Sequence, residues 1–438
     1  MTASLDVRLT GTVIGEFLPD SSFRWAEGWE QLSPLNSAVL SHSLPFGADR
    51  PDPGPFFGGL LPEGIGLQEL AREARVASDD LHGLLAEVGA DVGGAVTIGE
   101  PRPPLDPLVL DEPDLSGVLE RARGYLRASA VGGGGSSATG VRPKVALTWD
   151  SATEKWMVGR GSYPSTHLLK PVPREEAAGV RAEAYLNAIA RAIGLSGHSA
   201  SVEGAGEHVV LVVERYDRVV PDDGPAVRVH QEDAAQALGL PWGGNAKYEQ
   251  VESRASLRNV ASLLSVHGSV FAPGSDDREG LLQMTTLNIV AGNTDAHAKN
   301  FSLLLPQIGV PTSQPEGTVR LADAYDIVPQ SFFTAEPDPL AMRVNGKAAA
   351  GAVTAGDLIA EASAWGLSRS RAAEVVTNTL RAIERTVGDG IGEDGTGGYG
   401  PPPGLQDFLT EQATNLLRGD QAWTRALPAG LAYAKRGE

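Results

Sequence analysis

The first hundred residues carry the alternation of apolar and polar positions that is typical of β-strands, followed by a helical pattern. Between residues 6 and 23, apolar side chains recur largely at every second position, which predicts strands with a turn near Asp20. A Pro- and Gly-rich stretch, residues 51–62, contains an apolar run. The polar residues 78–80 then predict a helix start. Because residues 101–104 are Pro-Arg-Pro-Pro, we expect this α/β unit to end there.

The middle of the chain begins with a glycine-rich break at residues 132–140, which precedes a second set of strand patterns. Residues 144–149 and 155–160 are joined by a polar segment, so they predict a β-hairpin. The other elements predicted in this region are a strand at residues 166–170, a helix at residues 177–195 and a short apolar strand at residues 209–213. This order indicates a β-rich lobe that begins with a glycine-rich loop.

The remainder of the chain, from residue 220, follows mainly helical spacing. A helix is predicted at residues 281–290, and strand-like pieces at residues 301–305 and 319–321 interrupt the helical pattern. The Gly- and Pro-rich residues 388–404 predict a mobile loop. A cleft between the β-rich lobe and this helical lobe is the expected ligand site.

Composition and charge exclude several classes of protein and site. The net charge is −19 and the pI is about 4.9, which argues against a basic face for nucleic acid and against docking on an anionic membrane. The chain has no cysteine, which excludes disulfides, thiolate zinc sites, iron–sulfur clusters and a cysteine nucleophile. The N-terminus lacks a signal-peptide pattern, and no apolar run approaches the roughly 18 residues of a membrane helix. We therefore expect a soluble cytoplasmic protein.

One polar loop carries residues suited to phosphoryl transfer. Asp295 and Asn300 are separated by four residues between a predicted helix and a predicted strand, which is the spacing of kinase catalytic loops. There the carboxylate lies beside the attacking hydroxyl, and the amide oxygen holds a metal ion on the phosphates. Asp326 follows the next strand-like piece, where kinases place a metal-binding aspartate. The alternative is a polar loop and a turn without chemistry, because this spacing also occurs by chance.

The upstream half of the chain contains the other parts that a kinase needs. The glycine-rich residues 132–140 are suited to lie over phosphates, and Lys170 and Glu183 to form the lysine–glutamate pair. Lys170 shares a strand face with Leu168, which is inward if Leu168 is core. Glu183 lies on the apolar stripe of the next helix, and a buried ammonium needs such a partner. The alternatives are two surface charges and a flexible linker, because the loop matches neither the Walker nor the G-x-G-x-x-G pattern.

Several short segments together carry a family resemblance that covers most of the chain. They are residues 56–63 (FFGGLLPE), 137–144 (SATGVRPK), 166–170 (THLLK), 213–218 (VERYDR), 230–236 (HQEDAAQ), 294–301 (TDAHAKNF), 325–326 (YD) and 344–347 (VNGK). In these segments the chain resembles the HipA family, the kinase toxins of bacterial toxin–antitoxin modules. The resemblance implies an α+β, two-lobed protein-kinase-like fold, with an α/β N-terminal lobe, an extra N-terminal subdomain and a mainly α-helical C-terminal lobe. The expected domains are residues 1–102, 103–219 and 220–438.

The resemblance also implies roles for individual residues. Asp295 is the catalytic base, Asn300 and Asp326 hold magnesium, and His297 lies near the phosphates. The other ATP-binding positions are Thr139, Gly140, Val141, Arg142, Pro143 and Lys144 in the phosphate loop, Lys170 with its ion-pair partner Glu183, the hinge residues Glu214, Arg215 and Tyr216, and Ala298, Lys299 and Tyr325.

Ser137 matches the serine that is autophosphorylated in the family, and Ser136 lies directly before it. In that family, phosphorylation ejects the loop and silences the enzyme. The physical reason is that a phosphate adds about −1.5 to −2 charge to a loop that must cradle the anionic phosphates of ATP.

The function that the resemblance implies is that of an ATP- and Mg²⁺-dependent protein serine/threonine kinase, the toxin of a type II toxin–antitoxin system. Its expected substrate is a translation protein, such as the glutamyl-tRNA synthetase targeted by the best-known relatives. The expected partner is a HipB-like DNA-binding antitoxin that makes most of the contacts to operator DNA, which suits the acidity of this chain. The alternatives are a small-molecule kinase and a catalytically silent, kinase-like corepressor.

Two further segments have a structural interpretation. The side chains of Phe56, Phe57, Leu60 and Leu61 are expected in a core rather than in an interface, although the resemblance makes the N-terminal unit a candidate antitoxin contact. Residues 344–347 are expected to form a tight turn, because Asn-Gly suits positive φ.

Overall fold

The computed structural model describes residues 3–28, 39–46, 51–100, 105–125, 142–160, 163–221, 224–265, 277–305, 319–334, 336–391 and 398–423. The predicted site residues Ser136, Ser137, Thr139, Gly140 and Val141 lie outside these ranges. The chain divides into two units: the first contains residues 1–174, 204–246 and 303–317, and the second contains residues 175–203, 247–302 and 318–438.

Strands predominate in the first half of the described chain and helices in the second. The described strands are β1 (Leu5–Leu9), β2 (Thr12–Phe17), β3 (Phe23–Trp25), β4 (Val96–Ile98), β5 (Leu105–Val109), β6 (Val145–Asp150), β7 (Lys155–Arg160), β8 (His167–Pro173), β9 (Ala200–Ala205), β10 (His208–Glu214), β11 (Arg218–Val219), β12 (Val227–Arg228), β13 (Gln231–Asp233), β14 (Ser302–Leu304) and β15 (Arg320–Leu321). The described helices are α1 (Gly54–Gly59), α2 (Ile65–Ala74), α3 (Leu81–Val88), α4 (Glu112–Arg123), α5 (Ala177–Ala192), α6 (Ala234–Ala237), α7 (Leu257–Ser265), α8 (Asp277–Ala291), α9 (Gln330–Phe333), α10 (Ala355–Ala364), α11 (Arg369–Asp389) and α12 (Leu405–Leu417). Within the described part of the chain, no helix is both long enough and apolar enough to cross a membrane.

In the first unit, the alternating N-terminal sequence forms an antiparallel sheet in the order β3-β2-β1-β4. Val7 and Phe17 are fully buried, as the alternation predicts. A β-bulge lies between Val7 and Arg8, where Ile14 is the extra residue of the opposite strand. Ile14 is therefore buried, whereas Val13 is 37% exposed and breaks the predicted alternation.

Helix α1 lies within the Pro- and Gly-rich stretch and belongs to the core of the first unit. The four apolar side chains expected in the core are all buried: Phe56, Phe57, Leu60 and Leu61. The prediction that they are core residues is confirmed. A Cβ on Gly58 would lie only 2.2 Å from Cγ of Trp242, so glycine is needed for the helix to approach this indole.

A second sheet of the first unit contains the predicted hairpin. Strands β5, β7, β6, β8 and β10 lie side by side in that order, and each pair is antiparallel. The hairpin of β6 and β7 places Trp149 opposite Trp156. Helix α4 contacts β6 and β8 and was not predicted. It begins where the Asp111 carboxylate accepts the N–H of Asp114, at 2.9 Å.

The second unit is built around helix α8, which is buried on all sides from Leu281 onward. Helices α7, α10, α11 and α12 all contact it. Continuous burial is expected of a helix that is apolar around its circumference. The helix predicted at residues 281–290 is confirmed, and it begins four residues earlier, at Asp277. Its last residue, Ala291, leads directly into the predicted catalytic loop.

Helices α11 and α12 flank the Gly- and Pro-rich residues 388–404. Helix α11 extends to Asp389, so the first two residues of this segment are helical. Its described remainder forms neither helix nor strand. The Arg181 guanidinium donates to the carbonyl oxygens of Gly400 and Pro401, at 2.8 and 3.2 Å. These bonds tie the end of the segment to helix α5.

Candidate active site

The catalytic loop, which we define as residues 292–301, begins at a glycine that no other residue replaces easily. Gly292 has a φ of +65°, in the left-handed region that favours glycine. A Cβ at this position would lie 2.8 Å from Cβ of Ser331 and 3.2 Å from Cζ of Phe408. Both the conformation and the space therefore require glycine where the chain leaves helix α8.

Asn293 fixes the start of the loop from the interior, where its side chain is only 1% exposed. Its Nδ2 donates to Oδ1 of Asn288 at 2.7 Å, and its Oδ1 accepts the N–H of Asp295 at 3.1 Å. The N–H of Thr294 donates to Oε1 of Gln330 at 3.2 Å. The side-chain amides of Asn293, which is buried, and Gln330, which is half-buried, therefore hold the backbone that carries Asp295.

Asp295 and Asn300 meet within the loop. Asp295 is half-buried, and the Tyr248 hydroxyl donates to its Oδ1 at 2.8 Å. Nδ2 of Asn300 donates to the backbone carbonyl oxygen of Asp295 at 3.1 Å. This bond sets the orientation of the Asn300 amide and turns its Oδ1 away from that carbonyl. The two residues that the sequence places five positions apart are therefore in direct contact.

A short 3-10 helix, Ala298–Asn300, folds the loop back on itself. The N–H of His297 donates to the carbonyl oxygen of Asp295, and the N–H of Asn300 donates to that of His297, both at 2.8 Å. The N–H of Ala298 donates to the carbonyl oxygen of Lys247 at 3.1 Å. His297 is buried, at 7% exposed. The loop is thus held by its own backbone and by the backbone at Lys247.

Tyr325 connects the second acidic motif to the catalytic loop. Its hydroxyl donates to the carbonyl oxygen of Lys299 at 2.7 Å. Because this uses the only phenolic proton, the Ser302 hydroxyl is the donor in the 2.7 Å bond between the two hydroxyls. The next residue, Asp326, has a φ of +55°, which is uncommon for a residue other than glycine. Such conformations cost on the order of 1–3 kcal/mol and concentrate at functional sites.

The residues proposed for magnesium have the right donor chemistry. Asn300 offers an amide oxygen and Asp326 a carboxylate, and Mg²⁺ prefers such hard oxygen ligands. Among the residues that the structure describes, no group of three or more His, Cys, Asp or Glu side chains could hold a metal. Mg²⁺ is commonly bound through one or two protein ligands together with substrate phosphates and waters. The donor set therefore fits a magnesium ion that arrives with a nucleotide.

Lys170 and Glu183 are both buried, at 8% and 4% exposed, as expected for the lysine–glutamate pair. Strand alternation, however, does not account for the burial of Lys170. Leu168 is only half-buried, whereas Leu169, Lys170 and Pro171 are buried in succession. Strand β8 is covered on both faces, so the alternation does not select an inner face. Lys170 lies opposite Leu211 of β10, and its pairing with Glu183 stays a prediction.

The described part of the predicted phosphate loop leads into strand β6. Arg142 is exposed, and Pro143 and Lys144 are half-buried. The remaining members of that loop and both candidate phosphorylated serines lie outside the described residues, so their roles stay predictions.

The predicted hinge follows the end of strand β10. Glu214 is exposed, and the N–H of Arg215 donates to the carbonyl oxygen of Thr166 at 2.9 Å. The Tyr216 hydroxyl donates to Oε1 of Gln231 at 3.0 Å. The Arg215 side chain points into the interior, so a nucleotide at the hinge would meet its backbone rather than its guanidinium.

The interior next to the hinge contains five charged side chains, which we call the ionic cluster: Asp91, Asp217, Arg215, Arg218 and Arg228. Arg215 binds both carboxylate oxygens of Asp217, at 2.9 and 2.8 Å. Arg218 and Arg228 reach Oδ1 of Asp91 at 3.2 and 2.6 Å. Burial raises the pKa of both carboxyl groups, but the arginines outweigh it and hold each pKa below its ordinary value. Burial, reinforced by Arg215, lowers the pKa of Arg218 to about 10.

Sequence reasoning missed the residues that support the loop from elsewhere in the chain. Tyr248 binds Asp295 across 47 positions, and its surroundings form turns without any periodic pattern. Gln330 binds Thr294 from helix α9. Asn293 adjoins the recognised motif, and a search for amide side chains close to Asp295 in the sequence could have found it. No pattern in the sequence pointed to Tyr248 or Gln330.

Comparisons with known proteins agree with this geometry. A family model for the HipA N-terminal domain matches residues 5–99, and one for the HipA-like C-terminal domain matches residues 136–387. Protein Y4mE of Sinorhizobium fredii is 30% identical over 405 residues, which cover 88% of this chain and 92% of that protein. The serine/threonine-protein kinase toxin HipA of Shewanella oneidensis is 24% identical over 420 residues, which cover 89% and 90%.

A solved structure extends the agreement to the fold. Shewanella oneidensis HipA, solved in complex with HipB and operator DNA, matches this chain with a TM-score of 0.71 at 22% identity. The match covers 94% of this chain and 96% of that one, which confirms the kinase-like α+β fold. The C-terminal family model alone spans more than half of the sequence. The chain therefore belongs to the HipA family of serine/threonine kinases.

Proposed function

We propose that this chain is the toxin of a type II toxin–antitoxin module and transfers the γ-phosphoryl group of ATP to a serine or threonine of a protein. One observation carries the proposal. Asn300 binds the carbonyl of Asp295, and Tyr325, the neighbour of Asp326, binds the carbonyl of Lys299. The proposed base and the proposed ligand Asn300 are thus hydrogen-bonded to each other, and the residue next to Asp326 is bonded to the same loop.

The proposed step needs little covalent chemistry from the protein. The substrate hydroxyl oxygen forms a bond to the γ-phosphorus while the bond from that phosphorus to the bridging oxygen breaks. The bridging oxygen leaves on ADP with the electron pair, and a carboxylate oxygen of Asp295 takes the hydroxyl proton. Asp295 suits this role because the Asn293 side chain fixes its backbone before substrate binds.

Charge on the phosphates is the main demand on the rest of the site. Magnesium, when bound, would neutralise charge on the transferring phosphates. Oδ1 of Asn300 and the Asp326 carboxylate would hold it, with His297 near the phosphates. Lys170 and Lys144 would supply further positive charge, and the Glu214–Tyr216 backbone would lie beside adenine.

Regulation and partners complete the proposal. Autophosphorylation near Ser137 would silence the enzyme, and a HipB-like DNA-binding antitoxin would neutralise it. The complex in which the similar Shewanella protein was solved contains HipB and operator DNA. A net charge of −19 favours DNA contact mainly through such a basic partner. The proposed target is a translation protein such as an aminoacyl-tRNA synthetase, and residues 1–102 form the proposed antitoxin contact.

The test is incubation of the purified protein with labelled ATP and Mg²⁺, alone and with cell extract, beside Asp295→Ala. We expect labelling of the protein itself or of an extract protein, lost in the variant and on chelation of Mg²⁺. Mass spectrometry should then place the self-label at position 136 or 137.

The other outcomes separate the alternatives. Transfer that survives in Asp295→Ala would remove that residue from the role of base. No transfer from folded, unphosphorylated protein would favour a silent corepressor. Label in a small molecule but in no protein would favour a small-molecule kinase.

A further inference from the structure

Residues Lys247 and Tyr248 support the catalytic loop from a segment to which neither the family motifs nor the proposed chemistry assigns a role. The Tyr248 hydroxyl donates to Oδ1 of Asp295 at 2.8 Å. The tyrosine ring meets the His297 ring edge to face, with centroids 5.4 Å apart and an interplanar angle of 87°. The carbonyl oxygen of Lys247 accepts the N–H of Ala298 at 3.1 Å. Two adjacent residues thus contact the loop at three separate positions.

We propose that Tyr248 is a positioning residue for phosphoryl transfer. Its hydroxyl donates to Oδ1 of Asp295 and thereby fixes the plane in which the carboxylate meets the substrate hydroxyl. This inference rests on the proposed function, in which Asp295 takes the substrate proton. Tyr248 itself keeps its proton and does not touch the reacting atoms.

The segment that carries Tyr248 is itself firmly attached. The N–H of Glu249 donates to the carbonyl oxygen of Ala341 at 2.9 Å, and the N–H of Ala341 donates to that of Thr294 at 2.8 Å. The Glu249 carboxylate accepts the N–H of Arg343 at 2.6 Å. Hydrogen bonds therefore form a closed circuit from the catalytic loop through Ala341 and Glu249 to Tyr248 and back to Asp295. A donor held in such a circuit has little freedom to follow a rotating carboxylate.

A carboxylate needs this kind of support because the terminal torsion of aspartate has broad, shallow energy wells. A donor in a fixed place favours one orientation of the carboxylate, and the Tyr248 hydroxyl adds no charge. Loss of the hydroxyl would therefore loosen Asp295.

The Tyr248→Phe variant isolates the hydroxyl, because phenylalanine keeps the ring that packs against His297 and Lys247. We expect kcat to fall about 10- to 100-fold, since a misplacement of about 1 Å is sufficient for such a loss. The KM for ATP should change less than about threefold, because the lost interaction is made to the base.

Tyr185→Phe is the matched control. Its hydroxyl is also hydrogen-bonded, to Nε2 of Gln406 at 3.1 Å, and its ring is 1% exposed in the same unit. This variant should keep the normal kcat and the normal KM for ATP. Asp295→Ala is the second control, and Tyr248→Phe should change its residual rate by less than about twofold, because the hydroxyl acts through the missing carboxylate.

Each result decides one claim. Normal turnover in Asp295→Ala would overturn the proposed function and leave Tyr248 without a base to position. An inactive Asp295→Ala together with a normal kcat in Tyr248→Phe would overturn the inference alone. A raised KM for ATP at unchanged kcat would also overturn it, since that result would assign Tyr248 to nucleotide binding.

Discussion

The catalytic loop of the second unit and the ionic cluster of the first unit both hold carboxylates among polar groups, but they hold them differently. Asp91 and Asp217 are 5% and 4% exposed and meet the guanidinium groups of three arginines. Asp295 is half-buried and meets the neutral hydroxyl of Tyr248. Ion pairs with arginine characterise the cluster, and a hydroxyl donor to Asp295 is found in the loop.

The difference teaches how to distinguish a reactive carboxylate from a structural one. A carboxylate in a bidentate ion pair with arginine has both oxygens occupied and strongly resists protonation. It stabilises the fold but is a poor proton acceptor. A carboxylate that a hydroxyl contacts at one oxygen can be held in place for proton transfer. Sequence motifs pointed to Asp295, and this local environment supports its proposed role.

The largest expected effect is at Asp326. Two variants of this residue show the loss of phosphoryl transfer separately from the change in stability, which sharpens the comparison between the catalytic loop and the ionic cluster. Asp326→Ala and Asp326→Gly should both lower phosphoryl transfer at least about 1,000-fold, because both remove a proposed magnesium ligand. Glycine relieves the strain of the φ of +55°, so it should be about 1 kcal/mol more stable than the alanine variant. Transfer assays and urea unfolding measure the two effects. Equal stability of the two variants, or retained transfer, would contradict the account.

The next effect is at Asp217, where the expected loss is in stability. Asp217→Ala leaves Arg215 and Arg218 buried without one of their carboxylates, so the free energy of unfolding should fall by about 3–5 kcal/mol. The control is the half-buried Asp150, whose carboxylate accepts hydrogen bonds from Thr153 and Ala152 within its own turn, at 2.6 and 3.1 Å. Asp150→Ala should cost about 1 kcal/mol or less. If urea unfolding gives similar losses of unfolding free energy for both variants, the ionic cluster has no special part in stabilising the fold.

A smaller effect is expected from pH at His167, in the first unit beside the hinge. Burial lowers the pKa of His167 to about 4, although Glu214 raises it slightly. Below its ordinary pKa of about 6.5, the unfolded chain binds a proton that the folded chain does not, so stability falls with pH between about 6.5 and 4. His167→Asn should reduce this slope, measured by unfolding between pH 7 and 4.5. An unchanged slope would contradict the assignment.

The carboxylates of the ionic cluster act in a lower pH window than His167. Their pKa values are depressed, so their contribution is full above the ordinary carboxyl pKa of about 4 and is lost only as the pH falls below it. Measurements above pH 4.5 therefore report on His167 with little interference from Asp91 and Asp217.

Much of the fold could be predicted from local patterns. The β6–β7 hairpin and helix α8 follow from periodicity, and the Asn345-Gly346 turn follows from residue type, since both residues have positive φ. The alternation failed in strand β8, where residues on both faces are buried and Leu168 is only half-buried. It also failed at the bulge that buries Ile14. Asp295 and Asn300 could be proposed as site residues because they are five positions apart in one loop.

The supporting residues of the site could not be predicted in the same way. Tyr248 and Gln330 reach the loop only after distant segments pack together, and neither lies in a pattern that marks it. The ionic cluster likewise joins Asp91 to residues more than a hundred positions away. Tertiary structure, rather than local sequence, selects these partners.

The most direct test pairs two isosteric substitutions and measures two quantities for each. Asp295→Asn and Asp217→Asn are compared for the rate of phosphoryl transfer from labelled ATP and for the free energy of unfolding. The account predicts that Asp295→Asn abolishes transfer at nearly unchanged stability, whereas Asp217→Asn loses several kcal/mol of stability. Transfer by Asp295→Asn at the rate of the unaltered protein would contradict the claim that this loop performs the chemistry.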